Sequence, residues 1–324
     1  MTRVSNYALN NFLQSQTLGV QQRLADLQIQ ASSGQKAQTY AGIATDAHQL
    51  ISLEVAHAQT AQYVKTNQTV DSRLTSMESS VSDIFKAATN FRTLLLNAEN
   101  NSNAGDLSID TEAANFRQQV ANLLNVQVDG RYLFAGSRTD VKPVDLTGWP
   151  VPPTLTPPLT LPLPTYDTNY YKGDSQVMSA QIDTSLTINY GVTADNPAFE
   201  YLLRAAYYIQ SAGPTPSQDE METALSLINT ALGTESGNAA RGVMPLTQDV
   251  ADIQSLIGTS RSSIDQANSR HNDFTIYLEQ NISDIKTVDV AQTLTQVSSY
   301  TTQLQASYMT LSQISQLSLL NYLK

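Results

Sequence analysis

The chain has 324 residues, 29 acidic against 18 basic side chains, a formal net charge of −11, and no cysteine. The missing cysteine excludes a disulfide framework, a thiolate nucleophile and a Cys-based metal site. The basic residues form no run and do not alternate with aromatics, so the footprint of a nucleic-acid binder is absent and no nucleic-acid partner is expected. Charged side chains make up only 15%, against roughly 25% in an ordinary soluble domain. Ser, Thr, Gln and Asn take their place, a surface that can lie against copies of itself without desolvating charge. The first residues, MTRVSNYALNNFLQSQ, show no basic-then-apolar signal pattern. No apolar run approaches the ~20 residues of a membrane span, so no membrane partner is expected. These features fit a cytoplasmic chain and equally one exported without a cleaved signal.

In chain order, residues 5–31 predict a first amphipathic helix with Leu9, Phe12, Leu13, Val20, Leu24 and Leu27 on one stripe, ended by Ser32-Ser33-Gly34. Residues 35–43, with Tyr40 and Gly42, read as an ordered loop. A long helix follows over about 44–98, in which Val70, Leu74, Met77, Val81, Ile84, Ala88, Phe91, Leu95 and Ala98 keep a strict 4-3 rhythm. Asn100 to Gly105 predict a turn, and 109–127 a helix carrying Phe116, Val120, Leu123 and Leu124, stopped by Asp129-Gly130. Composition then changes: eight of the twelve prolines fall between Pro143 and Pro164, a density that forbids helix. Strand-like pieces at 132–134, 176–182 and 185–190 surround that run, so 137–195 reads as a small β-rich insertion. Asp195-Asn196-Pro197 predicts a helix start, and helices follow near 197–211, 217–232 and, longest, 240–287. The 240–287 stripe runs through Val250, Ile253, Ile257, Ile264, Ala267, Phe274, Leu278 and Ile285. A break at 287–289 precedes a last helix to about 323, striped by Val290, Leu294, Val297, Leu304, Tyr308 and Leu311. An a/d stripe of that length needs a partner helix or stays in water. The expected fold is mainly α: a long antiparallel coiled-coil/helical bundle formed by both chain ends, with a small β-rich, Pro-containing insertion domain.

Candidate chemistry is sparse, and no catalytic, metal or cofactor-binding residues are assigned. His48 and His57 stand nine apart, about half a turn out of phase on a helix, and cannot share a metal there. His271 falls on the stripe between Ala267 and Phe274, where a polar residue either fixes register or is simply a partly buried histidine. Motifs of nucleophilic, phosphate-binding or zinc chemistry are absent. Asp219, Glu220 and Glu222 open a helix, where carboxylates suit the dipole. Trp149 with Tyr166, Tyr170, Tyr171, Tyr190, Tyr201, Tyr207 and Tyr208 makes either a packed seam or, less favoured, a sugar platform. The Pro-rich run is a rigid surface excursion or a docking ligand.

Three segments carry a family resemblance. Gly130-Arg131-Tyr132-Leu133-Phe134-Ala135-Gly136, the return NYGVTADNPAFEYLL (189–203) and the closing ASYMTLSQISQLSLLNYL (306–323) resemble the bacterial flagellin superfamily, most closely its hook–filament junction branch. LQIQASSGQKAQTYAGIATDA (27–47) occupies the place of that family's Ser-Ser/Thr-Gly loop but departs from its usual continuation at residues 40–47, which leaves a divergent flagellin as the alternative. The resemblance covers roughly 1–136 and 189–324. It implies a structural, non-enzymatic subunit exported without a cleaved signal peptide to the extracellular flagellum. The implied partners are a ring of like subunits, a neighbouring hook-associated protein, flagellin and an export chaperone. It also implies a division into a terminal inner-tube coiled coil (1–42 with 289–324), a helical body (43–136 with 196–288) and an outer insertion (137–195). Deleting 140–188 with a short linker is then expected to leave assembly largely intact. The assembly interface is then expected at Leu9, Phe12, Leu13, Val20, Leu24, Leu27, Leu294, Val297, Leu304, Tyr308, Leu311, Leu320 and Tyr322.

Overall fold

A computed structural model describes residues 2–99, 108–149, 166–238, 241 and 243–320, apart from the side chains of 2–7 and 315–320. The predicted turn at 100–105, most of the Pro-rich run and Tyr322 lie outside the described residues. Helix α1 (Thr2–Ser33) ends where Gly34, at φ +70°, supplies the left-handed residue that lets its N–H reach the Gln30 carbonyl at 2.8 Å. After a short 3-10 turn (Tyr40–Ile43), α2 (Ala47–Glu99) runs for 53 residues, about 80 Å at the usual rise. Every one of its nine predicted stripe positions from Val70 to Ala98 is buried.

Helix α3 (Ile109–Leu124) is shorter than expected, and Asp129-Gly130 does not stop it. It ends at Asn125, whose N–H bonds the Ala121 and Asn122 carbonyls. Asp129 (φ 51°) and Gly130 (φ 73°) instead form the two-residue turn of a hairpin between β1 (Gln127–Val128) and β2 (Arg131–Tyr132). A second antiparallel hairpin, β3 (Met178–Asp183) with β4 (Leu186–Tyr190), makes the strand-containing middle region. Helix α4 (Pro197–Ala212) starts as predicted, Asn196 accepting from the Ala198 N–H at 2.9 Å. Helix α5 (Gln218–Ala231) opens with a capping box between Ser217 and Glu220. Helix α6 (Val250–Lys286) begins ten residues later than expected: residues 238–249 hold a bridge between Asn238 and Val243 and include Pro245, and Asp249 caps the start by accepting from Asp252 N–H at 2.8 Å. Helix α7 (Val290–Leu320) begins under Asp289, which accepts from Ala291 and Gln292.

The contacts divide the chain into two units, 62–271 and 1–61 with 272–324. In 62–271, α3 packs on α4 and α4 on α5 over one apolar core. The middle segment belongs to that core: Val144, Trp149, Tyr170 and Ile182 are all buried in it. The Gly-Arg-Tyr-Leu-Phe-Ala-Gly segment clasps the two ends of this excursion. Phe134 meets Phe199 edge-on at 6.2 Å, and its carbonyl accepts from Ala194 N–H at 2.9 Å. Gly136, at φ +71°, lies so close to Asp174 that an added Cβ would fall 2.1 Å from the Asp174 carbonyl oxygen, so only glycine fits.

The aromatic cluster is a packed seam. Trp149 is buried, donates from Nε1 to the Asp167 carbonyl at 3.0 Å and meets Tyr170 edge-on at 5.1 Å. Tyr170, Tyr190, Tyr201 and Tyr208 are buried too, and Arg117 lies over the Trp149 and Tyr207 rings.

Candidate assembly interface

The expected interface residues sit on α1 and α7, which pack against each other. Burial on α1 follows Leu13, Thr17, Val20, Leu24 and Leu27; on α7 it follows Thr293, Val297, Tyr300, Leu304, Ser307, Leu311 and Ile314. Both series step by four and three, the seam of an antiparallel coil. Of the expected residues, Leu13, Val20, Leu24, Leu27, Val297, Leu304 and Leu311 share this seam. Leu9, Phe12, Leu294 and Tyr308 do not: they are 47%, 58%, 54% and 48% exposed. Their exposure has a geometric reason, since each stands one or more positions off the seam rhythm. Leu320 has its backbone in α7, but its side chain lies outside the described residues.

Counting apolar letters misses Thr17 and Thr293. Each hydroxyl bonds back to its own helix, Thr17 to the Leu13 carbonyl at 2.8 Å and Thr293 to the Asp289 carbonyl at 2.7 Å, which satisfies the oxygen within the helix while the residue is buried. The usable signal was threonine at a 4-3 position.

Beyond the seam, this unit leaves much apolar surface in water. Leu18, Ile29, Ile51, Val55, Phe274, Ile276, Tyr277, Val290 and Met309 are all exposed, and the Phe274 and Tyr277 rings stack on each other at 6.1 Å. Phe274 was expected on the α6 stripe. It is displaced because α6 buries Ala267, His271, Thr275 and Leu278 to at least half, two successive four-residue steps where a heptad takes a four and a three.

The loop after α1 is held by backbone. Lys36 N–H bonds the Lys286 carbonyl at 2.7 Å, Val288 N–H bonds the Gly34 carbonyl at 3.0 Å, and Gln35 bridges Thr287. Lys36 Nζ adds a bond to the Asp284 carbonyl. Beside this, Glu54 accepts from Lys286 Nζ at 2.9 Å and from Tyr40 Oη at 2.7 Å. The two donors, Lys286 first, hold the Glu54 carboxyl below its ordinary range, and the carboxylate in turn raises Tyr40 and Lys286. His57 reaches Glu279 at 3.4 Å. Among the described residues no group of three or more His, Asp or Glu could hold a metal, and no helix is long and apolar enough to cross a membrane.

Comparison with known proteins matches both ends of the chain. Residues 4–139 fit the model of the bacterial flagellin N-terminal helical region, and 242–323 that of the bacterial flagellin C-terminal helical region. The chain belongs to the bacterial flagellin family. Within it, the chain is 24% identical over 309 residues to flagellar hook-associated protein 3 of Escherichia coli, covering 90% of both chains. It is also 24% identical over 314 residues to the protein of that name in Salmonella typhimurium, again with 90% of each covered. The fold is shared with a Vibrio parahaemolyticus protein described as flagellar hook-associated, at TM-score 0.55 and 18% identity over 74% of this chain and 97% of that one. Bacillus cereus FlgL shares it at TM-score 0.53 and 13% identity, over 72% of this chain and 99% of that one. The family's two helical regions leave residues 140–241 unmatched, which is where the β3–β4 hairpin and the packed aromatic seam lie.

Proposed function

We propose that this chain is a structural subunit of the bacterial flagellum that forms the junction between hook and filament, in the manner of hook-associated protein 3. The relatives that bear this name align over nine-tenths of their length. The observation that carries an assembly role is α7 itself. Across Val290–Leu320 it contains no Asp, Glu, Lys, Arg or His, and α1 contains only Arg3, Arg23 and Asp26. In a chain of net charge −11, many copies brought side by side repel through their acidic surfaces. A terminal helix pair with so few charges is a surface that copies can share while desolvating few ions. Leu9, Phe12, Leu294 and Tyr308, which the α1–α7 seam leaves in water, are then the residues a neighbouring subunit covers, with the seam residues holding each pair together.

On this reading the terminal segments, 1–42 with 289–324, are the inner-tube coiled coil. The subunits form a ring between a further hook-associated protein and flagellin, after export with a chaperone and without signal cleavage. Ordering of the ends is coupled to assembly: α1 and α7 exchange amide hydrogens rapidly in dilute monomer and slowly once incorporated. The deciding experiment is immunogold labelling of isolated flagella with antibody against the middle segment. One gold cluster at the hook end supports the junction role. Label along the whole filament replaces it with a divergent flagellin, and unlabelled flagella remove both.

A further inference from the structure

At Ile182 the β3–β4 hairpin reaches the long helices through a buried polar layer. A register irregularity between Gln181 and Asp183 breaks the β3–β4 pairing at Ile182, which is fully buried. Its carbonyl oxygen is met from two sides. Asn67 of α2 donates Nδ2 to it at 3.0 Å, and His271 of α6 brings Nε2 to 2.9 Å. The same Asn67 amide donates to Asn268 Oδ1 at 2.9 Å, the His271 ring stacks on Tyr63 at 5.4 Å and 5°, and Arg270 faces Asp183 at 3.7 Å. Asn67 and His271 are buried, and Asn67 Oδ1 is left without a hydrogen-bond partner. That orphaned oxygen costs on the order of 1–3 kcal/mol, which offsets part of what the two donors contribute.

The layer stands where α6 abandons the heptad. From Val250 to His271 burial alternates three- and four-residue steps, and at His271 a second four-residue step follows the first. Along the matching stretch the other buried positions are Val, Leu, Ile, Met and Ala with Ser80 and Ser260, small or apolar side chains that pack nearly as well when one helix slides by a turn. Apolar packing therefore leaves the α2–α6 register weakly specified where the phase changes, and the partly exposed pairs of Arg261 with Asp71 and Glu78 add only solvent-screened contacts. A backbone carbonyl that must be met by one donor from each helix specifies it, because sliding either helix strands a buried acceptor.

We infer that the hairpin is a register clamp: through the Ile182 carbonyl it fixes which residues of α2 lie opposite which of α6, with Asn67 and His271 as the positioning residues. The middle segment then acts on the helices that the family shares, and this inference does not depend on where the subunit sits in the flagellum.

The chain's lack of cysteine makes the test clean. Spin labels at Thr69→Cys and Ser255→Cys, both exposed positions, sit several turns apart along the two helices. A slip of one turn changes their separation by about 5 Å. The folded parent is expected to give one narrow distance. Asn67→Leu with His271→Leu, which strands the buried Ile182 carbonyl in the native register, is expected to show a second distance displaced by about one turn, whatever its melting temperature. His271→Gln, which keeps a donor, is expected to retain the single distance. If the double variant does not fold, the single His271→Leu is read the same way. A single unchanged distance in the leucine variants overturns the inference, and so does a fall in melting temperature with no second distance, which is the mark of an ordinary stabilising contact.

Discussion

The two units of this chain treat apolar side chains in opposite ways. Residues 62–271 enclose them: fully buried Leu74, Ile84, Leu95, Phe134, Phe199 and Leu202 share one core. In residues 1–61 with 272–324, among the described residues, the only apolar side chains to reach burial are Val20, Leu50 and Leu278. That unit also holds fourteen of the eighteen large apolar residues left exposed. One unit is a finished domain and the other resembles half of an interface. The lesson concerns composition as much as geometry: helices with similar stripes end in different states because the α2 stripe joins a core shared with α3, α4, α5 and the middle segment, whereas α1 packs against α7. A two-helix coil can bury one stripe and no more.

The largest effect that sharpens this contrast comes from removing the middle segment. The sequence reads residues 140–188 as dispensable, but Val144, Trp149, Tyr170 and Ile182 lie in the core of 62–271. Deletion is therefore expected to unfold that unit, seen as loss of its cooperative melting transition. A deletion variant that melts like the parent would show the excursion to be an appendage after all. Next comes a pair of substitutions. Leu74→Ala is expected to cost about 2–5 kcal/mol by urea unfolding. Leu304→Asp, on the half-buried α7 seam, is expected to leave that transition in place and abolish incorporation, since its charge is fully buried only on assembly. Equal losses of stability in the two variants would erase the distinction between the units.

The smallest effect is one of pH. Glu200 lies fully buried on α4 with Arg204 at 2.6 Å, and its second carboxylate oxygen is without a hydrogen-bond partner. Burial raises its pKa to about 7 against the pull of Arg204. A carboxyl raised on folding gives stability that is complete below its unfolded value near 4.5 and lost as pH rises through the folded value. The melting temperature is thus expected to be higher at pH 6 than at pH 8, and Glu200→Gln should flatten that slope. The same slope in the variant would assign the effect to another group.

Where the sequence reading succeeded and failed follows physical lines. The α2 stripe was legible because all nine positions are apolar and all face one core. The α4 start was legible because Asn-Pro is local chemistry that needs no tertiary help. Asp129-Gly130 was misread as a helix stop: the same dipeptide ends a helix or turns a hairpin, and only a strand pairing on both sides distinguishes them. Phe274 was misplaced because a heptad count carries its phase forward, and a step of four in place of three leaves no mark in composition. Thr17 and Thr293 were missed because their polarity vanishes only after the hydroxyl bonds its own helix.

Motif resemblance pointed to the family, and by itself the sequence determined the helix-dominated class, the position of most breaks and the low charge of the terminal helices. These are properties of single residues, local capping and periodicity. Tertiary structure alone decided that the Pro-flanked excursion belongs to the core, that Ile182 offers its carbonyl to both long helices, and which face of α1 and α7 stays open. Each of those depends on pairings between residues far apart in the chain, and a backbone carbonyl has no letter in the sequence.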